Sequence, residues 1–354
     1  MGAPQEAHVG RPVLGTAGRW AGTAAAPLAP FIAALVLAGG VLVATGRNPS
    51  EIFGLLLEHT FGSGNAVANT LAQTTPVLLT GLATAFAFRS GVFNIGVEGS
   101  LYVGAFAAAW VGFTFLGLPG PVLVGAAILL GAAVGGAWAL VPGYLKARWQ
   151  VDEVVTTLML NFVAISLTSY LVNGPFLAVG TANSMSPLVA QGARLGSLAA
   201  PSQLTLGFPF ALALAAAFWF MFRRTTFGYE LRVAGDNQRF AAASGINLFR
   251  VVVIAMLVSG IIGGLAGGIQ VLGVNYRFID RFSPGYGFTG IAVALLGRNT
   301  AVGCVLAALF FGALSSGGAT IQLFTSIPLD LIDVLAGTVM IFAVVDLVRL
   351  VRRH

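Results

Sequence analysis

R-R-T-T-F-G-Y-E-L-R-V-A-G-D-N-Q-R-F-A-A-A-S-G-I-N-L-F-R, residues 223–250, is a charged island of roughly helix length between two long apolar runs. The runs on either side, 203–222 and 251–273, are each long enough for a bilayer crossing. A hydrocarbon core about 30 Å thick takes roughly 20 apolar residues in a helix. The stretch therefore decides the architecture: a bundle of membrane helices with one exposed element through which something outside the bilayer can push it.

Composition agrees. Of 354 residues, 57% are hydrophobic and only 8% charged, against about 25% charged in a soluble domain. An ordinary globular enzyme and a disordered chain are both excluded, because disorder needs low hydrophobicity and high charge. The 47 glycines suit helices packed backbone to backbone in lipid. The formal charge of +6 sits at the ends of apolar runs, so it speaks for orientation in a lipid membrane rather than for nucleic acid. Cys304 lies in an apolar run with nothing basic beside it, which reads as an inert buried thiol.

Counting runs gives ten spans: 27–45, 66–88, 96–116, 121–141, 154–173, 203–222, 251–273, 286–297, 301–319 and 327–346. The expected fold is an all-α polytopic bundle with a transmembrane domain over 27–348. A disordered tail at 1–26 and a short tail at 349–354 flank it. The run 286–297 is short for a crossing and reads as a broken or re-entrant helix, tolerable where protein covers its backbone. With the N-terminus in the cytoplasm, only Arg47, Arg194, Arg277 and Arg281 of the 18 Lys and Arg fall outside. That bias puts both termini in the cytoplasm. Residues 174–202 form the longest outer loop, either a partly ordered lid or a passive connector.

Two glycine-interrupted stretches stand out: Gly91-Val-Phe-Asn-Ile-Gly-Val-Glu-Gly99 and Gly285-Tyr-Gly-Phe-Thr-Gly290. In the ten-span topology they occupy matching places in two oppositely oriented halves, an inverted repeat. Broken segments so placed point to a transport pathway. Glu98 is the notable charge, since an acid at membrane depth is costly and faces a partner or water. It reads either as a pathway residue or as a carboxylate favoured near the start of its own helix. Asn94 reads as a helix cap. Asn161, two turns into its span, needs a hydrogen-bond partner and reads as glue between helices. Asp152 and Glu153 open one span, and Asp330 and Asp333 another, where acids suit a helix start. Phe86, Phe88 and Phe93 approach the first break, and Tyr286 and Phe288 sit in the second. Planar ligands stack on such rings, although packing is the default role for any one of them.

No catalytic constellation is visible. His8, His59 and His354 lie outside the spans, and no cluster has metal-ligand spacing. The only lysine, Lys146, sits in G-Y-L-K-A, which is not a phosphate-binding loop. This chain has no ATPase site of that kind, so if ATP drives it, ATP and its magnesium belong to another subunit. In the island, Ala241, Ala242 and Ala243 before Ser244-Gly245-Ile246 suit a short helix ending in a turn.

The motifs together resemble the permease subunits of bacterial inner-membrane ABC importers, in the nucleoside and simple-sugar branch related to ribose and branched-chain amino-acid permeases. The resemblance rests on G-V-F-N-I-G-V-E-G (91–99), K-A-R-W-Q-V-D-E-V-V-T-T-L-M-L-N (146–161), G-Y-E-L-R-V-A-G-D-N-Q-R-F-A-A-A-S-G-I-N (228–247) and G-F-T-G-I-A-V-A-L-L-G-R-N (287–299). It covers roughly 65–346, with Ser100 where Gln is expected. It implies a binding protein outside the cytoplasm, a second permease subunit, and ATPase subunits that move a coupling element. By the match, Gly235, Asp236, Asn237, Ala241, Ala242, Gly245 and Ile246 belong to that element. Phe93, Asn94 and Glu98 belong to the pathway or its hinge, to which Asn161 and Phe288 are added as candidates. The competing reading, an ion-coupled secondary transporter, needs several intramembrane acids, whereas the acids here sit at span ends apart from Glu98.

Overall fold

The computed structural model describes residues 48–324 except Ala182, with a few further positions between 36 and 46 and Gly337. The expected spans at 27–45 and 327–346, both tails, and Asp330 and Asp333 lie largely or wholly outside the described residues.

The described chain is helical. The order is α1 (Pro49–Phe61), α2 (Gly64–Arg89), α3 (Val97–Thr114), α4 (Gly120–Trp149), α5 (Glu153–Asn173), α6 (Gly207–Arg224), α7 (Thr226–Asp236), α8 (Gln238–Ala243), α9 (Leu248–Gln270), α10 (Tyr286–Leu296) and α11 (Ala301–Phe324). Each of the eight expected runs between 66 and 319 coincides with one of these helices. Five are long and apolar enough to cross a membrane: α2, α4, α5, α9 with its continuation to Asn275, and α11. α3 and α6, of 18 residues each, extend about 27 Å at about 1.5 Å per residue. α10, of 11 residues, extends only about 16 Å, roughly half of a bilayer core.

Local sequence sets the helix ends. Asn48 caps α1 by accepting from the Ser50 N–H at 3.1 Å, with Pro49 next and Glu51 in the first turn. Ser63 caps α2 through the Ala66 N–H at 3.1 Å. The Asp152 carboxylate accepts from the N–H groups of Val154 and Val155 at 2.8 and 3.2 Å and opens α5. The helix-start reading of Asp152 holds, and Glu153 beside it forms an ion pair with Lys146 at 2.7 Å.

α9 is the axis of the bundle and packs along α2, α3 and α4. Glycines set those separations. A Cβ on Gly264 would meet the Gly131 carbonyl oxygen at 2.2 Å, and one on Gly267 the Leu101 carbonyl oxygen at 2.0 Å. Such contacts replace the hydrophobic drive that lipid does not supply between helices. α10 and α11 lie against α2. Beyond α9 a π-turn, Val271–Asn275, leads into the chain that returns to α10.

Residues 183–206 are ordered over that turn. The N–H groups of Ser186, Val189 and Leu195 donate to the carbonyls of Phe278, Tyr276 and Leu272 at 2.8, 2.9 and 2.9 Å. The Arg194 guanidinium lies 4.8 Å over the Tyr276 ring. This segment is the partly ordered alternative of the two readings.

Candidate translocation site and docking element

The first break is a length of non-helical chain inside the bundle. α2 stops at Arg89, Gly91 turns the backbone at φ +77, and residues 92–95 adopt no helix or turn before α3 begins. Non-helical backbone within a membrane protein must be hydrogen-bonded by protein. Here a helix face does it. Glu153, Thr157 and Asn161 are spaced by four along α5 and so stack on one face. The Phe93 N–H reaches Glu153 Oε1 at 3.5 Å and the Ile95 N–H donates to Thr157 Oγ1 at 3.3 Å. Asn161 Nδ2 donates to the Ile95 carbonyl at 2.9 Å, while its Oδ1 accepts from the Gly99 N–H at 2.8 Å. Residues 93 and 95 thus present their N–H groups to the same helix face. Asn161 is thus glue, with both ends of its amide held by backbone.

Asn94 is fully buried and works on the opposite side. Its Oδ1 accepts from the Gly96 N–H and its Nδ2 donates to Ser259 Oγ on α9, both at 2.8 Å. The first bond holds the turn that starts α3, which is close to the expected capping role. The second pins the break to the bundle axis.

Glu98 is 2% exposed. Its carboxylate accepts from the Gly287 N–H in the first turn of α10. The first turn of a helix has N–H groups without intrahelical partners, so Glu98 caps α10 rather than its own helix. The fit needs glycine, because a Cβ on Gly287 would lie 2.5 Å from the Glu98 nitrogen. Thr80 Oγ1 on α2 donates to the Tyr286 carbonyl at 2.8 Å beside it. Thr80 precedes Arg89 by nine residues, which puts the junction about 13 Å from the end of α2. The two glycine-rich breaks therefore meet near the middle of the bundle. Phe93 and Phe288 do not enter this buried knot. Their side chains are 52% and 40% exposed, and the Phe93 ring lies 4.8 Å from that of Phe88.

The island folds as two short helices rather than one. Thr225 caps α7 and Asn237 caps α8, accepting from the N–H groups of Gly228 and Phe240 at 3.0 Å each. α8 closes as the Ala-Ala-Ala-Ser-Gly pattern implies. Gly245 sits at φ +82, its N–H donates to the Ala242 carbonyl, and the Ile246 N–H donates to the Ala241 carbonyl. That pair of bonds is the Schellman closure. Ala241 is buried, Ile246 half-buried, and Asp236, Asn237, Ala242 and Gly245 exposed. Tyr229 and Phe240 expose their rings, 54% and 57%.

Gly235 joins this element to the first break. A Cβ there would lie 2.3 Å from the Arg89 carbonyl oxygen, and one on Gly91 would lie 2.9 Å from Gly235 Cα. The C-terminal end of α7 thus rests with its backbone directly on the Gly91 turn. Sequence reasoning assigned Gly235 and Gly91 to separate motifs and did not join them.

The model of a family of permease components of branched-chain amino acid transport systems matches residues 66–344. The chain belongs to this permease family. The permease is 38% identical over 327 residues to the guanosine ABC transporter permease protein NupP of Bacillus subtilis, covering 89% of this chain and 92% of that protein. It is 33% identical over 329 residues to a glucose ABC transporter permease protein of Haloferax volcanii, covering 90% and 86%. It is 30% identical over 274 residues to a second Bacillus subtilis protein, the guanosine ABC transporter permease protein NupQ, covering 74% and 85%. No solved structure gives a significant match. The permease is a multi-pass membrane subunit of an ABC importer, and the ion-coupled reading falls away.

Proposed function

We propose that the permease pairs with a second, unlike permease to form the pathway of an ATP-driven nucleoside importer. An extracytoplasmic binding protein delivers the solute. A separate ATPase subunit, which binds ATP and magnesium, grips α7 and α8. The backbone contact between Gly235 and Gly91 carries this reading, since it joins the docking element to the broken stretch without a compliant side chain between them. Movement of α7 then shifts the Gly91 turn, the chain held by α5, and the Glu98–Gly287 junction. Exposed Tyr229 and Phe240 suit a protein surface, because aromatic residues dominate interface anchors. The nucleoside assignment follows the names of the relatives from Bacillus subtilis, and two such relatives from one organism favour unlike partners.

In this reading the permease crosses the bacterial inner membrane ten times with both termini cytoplasmic. The α2–α3 break and the start of α10 are counterparts in two inverted halves, with Phe93 and Phe288 facing the solute. Uptake of labelled guanosine, set against labelled glucose, in a strain lacking the permease and then complemented with it tests the assignment. Guanosine uptake that orthovanadate stops and an uncoupler spares is the expected result. Restoration of glucose uptake alone refutes the substrate, and loss on uncoupling refutes the drive.

A further inference from the structure

A second site lies beside the docking element, where the ends of α2 and α6 and the middle of α7 meet the start of α11. It is a cavity of about 280 Å³ lined by Arg89, Arg223 and Arg232, by Trp219 and Phe222, and by the first residues of α11. Arg89 is fixed there, donating to the Asn299 carbonyl at 3.0 Å with its guanidinium 5.0 Å over the Phe222 ring. Arg223 lies 5.6 Å over the Trp219 ring. Arg232 Nε is buried without a hydrogen-bond partner among the described residues. None of the three guanidiniums forms an ion pair with a described carboxylate; the nearby acid, Asp236, is exposed and outside the lining. The start of α11 adds the first-turn N–H groups of Ala301 and Val302, which lack intrahelical partners, that of Gly303 being taken by Thr300 Oγ1 at 3.2 Å.

Three guanidiniums and a helix start converge on a space whose other wall is aromatic. Arginine favours phosphate because its planar fork matches two phosphate oxygens. Free phosphate has no use for the aromatic wall, whereas an acyl chain does. The place also fits, since Trp219, Arg89 and Arg223 mark the ends of the apolar helices α2 and α6, where the headgroup layer meets the hydrocarbon. We propose that this cavity binds the phosphate headgroup of an anionic phospholipid, with the first acyl carbons against Trp219 and Phe222.

The purified full-length permease, reconstituted in an equimolar mixture of phosphatidylcholine and phosphatidylglycerol, is released into the gas phase and its retained lipid weighed by native mass spectrometry. One phosphatidylglycerol per chain, retained in preference to phosphatidylcholine, is expected. Replacing all three residues (Arg89→Gln, Arg223→Gln, Arg232→Gln) is expected to lower retention on the order of a hundredfold, about fivefold per guanidinium. Arg223→Gln alone, at the exposed rim, reads the same effect with less risk to folding. Arg224→Gln, on the same helix end but outside the cavity, controls for general charge. Equal losses in Arg224→Gln and Arg223→Gln overturn the site. Retention without headgroup preference, or displacement of the lipid by inorganic phosphate at matched concentration, overturns the lipid assignment.

Discussion

The Glu98 carboxylate accepts a hydrogen bond from the Gly287 N–H, tying the first turn of α3 to the first turn of α10 across 189 positions of sequence. A buried carboxylate is costly unless it is hydrogen-bonded, and a helix start both supplies a donor and favours negative charge. Glu98→Gln keeps an acceptor and loses the charge, so its expected cost is about 0.3–2 kcal/mol. Glu98→Ala leaves the Gly287 N–H buried and unpaired, adding about 1–3 kcal/mol. Thermal unfolding of the purified permease should rank wild type above Glu98→Gln and that above Glu98→Ala. An alanine variant as stable as wild type removes the cap from the account.

The ladder on α5 gives a second expectation. Thr157→Val preserves shape and deletes the acceptor of the Ile95 N–H, at an expected cost of about 1–3 kcal/mol. Asn161→Leu deletes a donor and an acceptor together and should cost more. Amide exchange at Ile95 and Gly99 should quicken in the respective variants. If exchange there matches wild type, the non-helical stretch is held by something other than α5.

Much of this arrangement was legible in the sequence, and the remainder was illegible for a physical reason. Apolar runs reveal membrane helices because length and hydrophobicity suffice, so α2 to α6 and α9 to α11 were all readable. α1 was not, since Glu51, Glu58 and His59 dilute its apolar residues. Its start signal, Asn48 before Pro49 with Glu51 following, was nevertheless present. Glu153 and Asn161 stood out in the sequence, whereas Thr157 between them, at a spacing of four from each, was one of several hydroxyl residues on the same helix. What they held was not visible, because the partner is backbone and backbone donors carry no sequence signature. The same limit hid the recipient of the Glu98 cap and the meeting of Gly91 with Gly235.

That meeting yields a third expectation. Gly235→Ala places a methyl 2.3 Å from the Arg89 carbonyl oxygen, so α7 must lift from the Gly91 turn. Overpacking of this kind costs about 1–3 kcal/mol, too little to prevent membrane insertion in a bundle of this size. The docked complex should still hydrolyse ATP while guanosine uptake falls steeply. Uptake and hydrolysis reduced in equal proportion, or neither reduced, would mean that the contact transmits nothing.

Gly245 separates docking from folding. It is exposed at φ +82 with open space where a Cβ would stand. Gly245→Trp strains only the turn, by about 1–2 kcal/mol, and places a bulky ring on the docking surface. Membrane insertion should persist, while the ATPase subunit no longer co-purifies and uptake is lost. Normal uptake by this variant contradicts the docking role of α8.

The side of the membrane on which α7 and α8 lie decides whether an ATPase can reach them. The chain has one cysteine, Cys304, and it is fully buried, so an introduced thiol reports without background. Phe240→Cys puts that thiol on an exposed position of α8, a helix of six residues that closes before the chain re-enters the bundle. A membrane-impermeant maleimide should leave Phe240→Cys unmodified in intact cells and modify it once the cells are opened. Wild type should resist in both states. Labelling in intact cells would put the docking element outside, beyond the reach of any ATP-consuming partner, and the whole scheme of drive through α7 would fail with it.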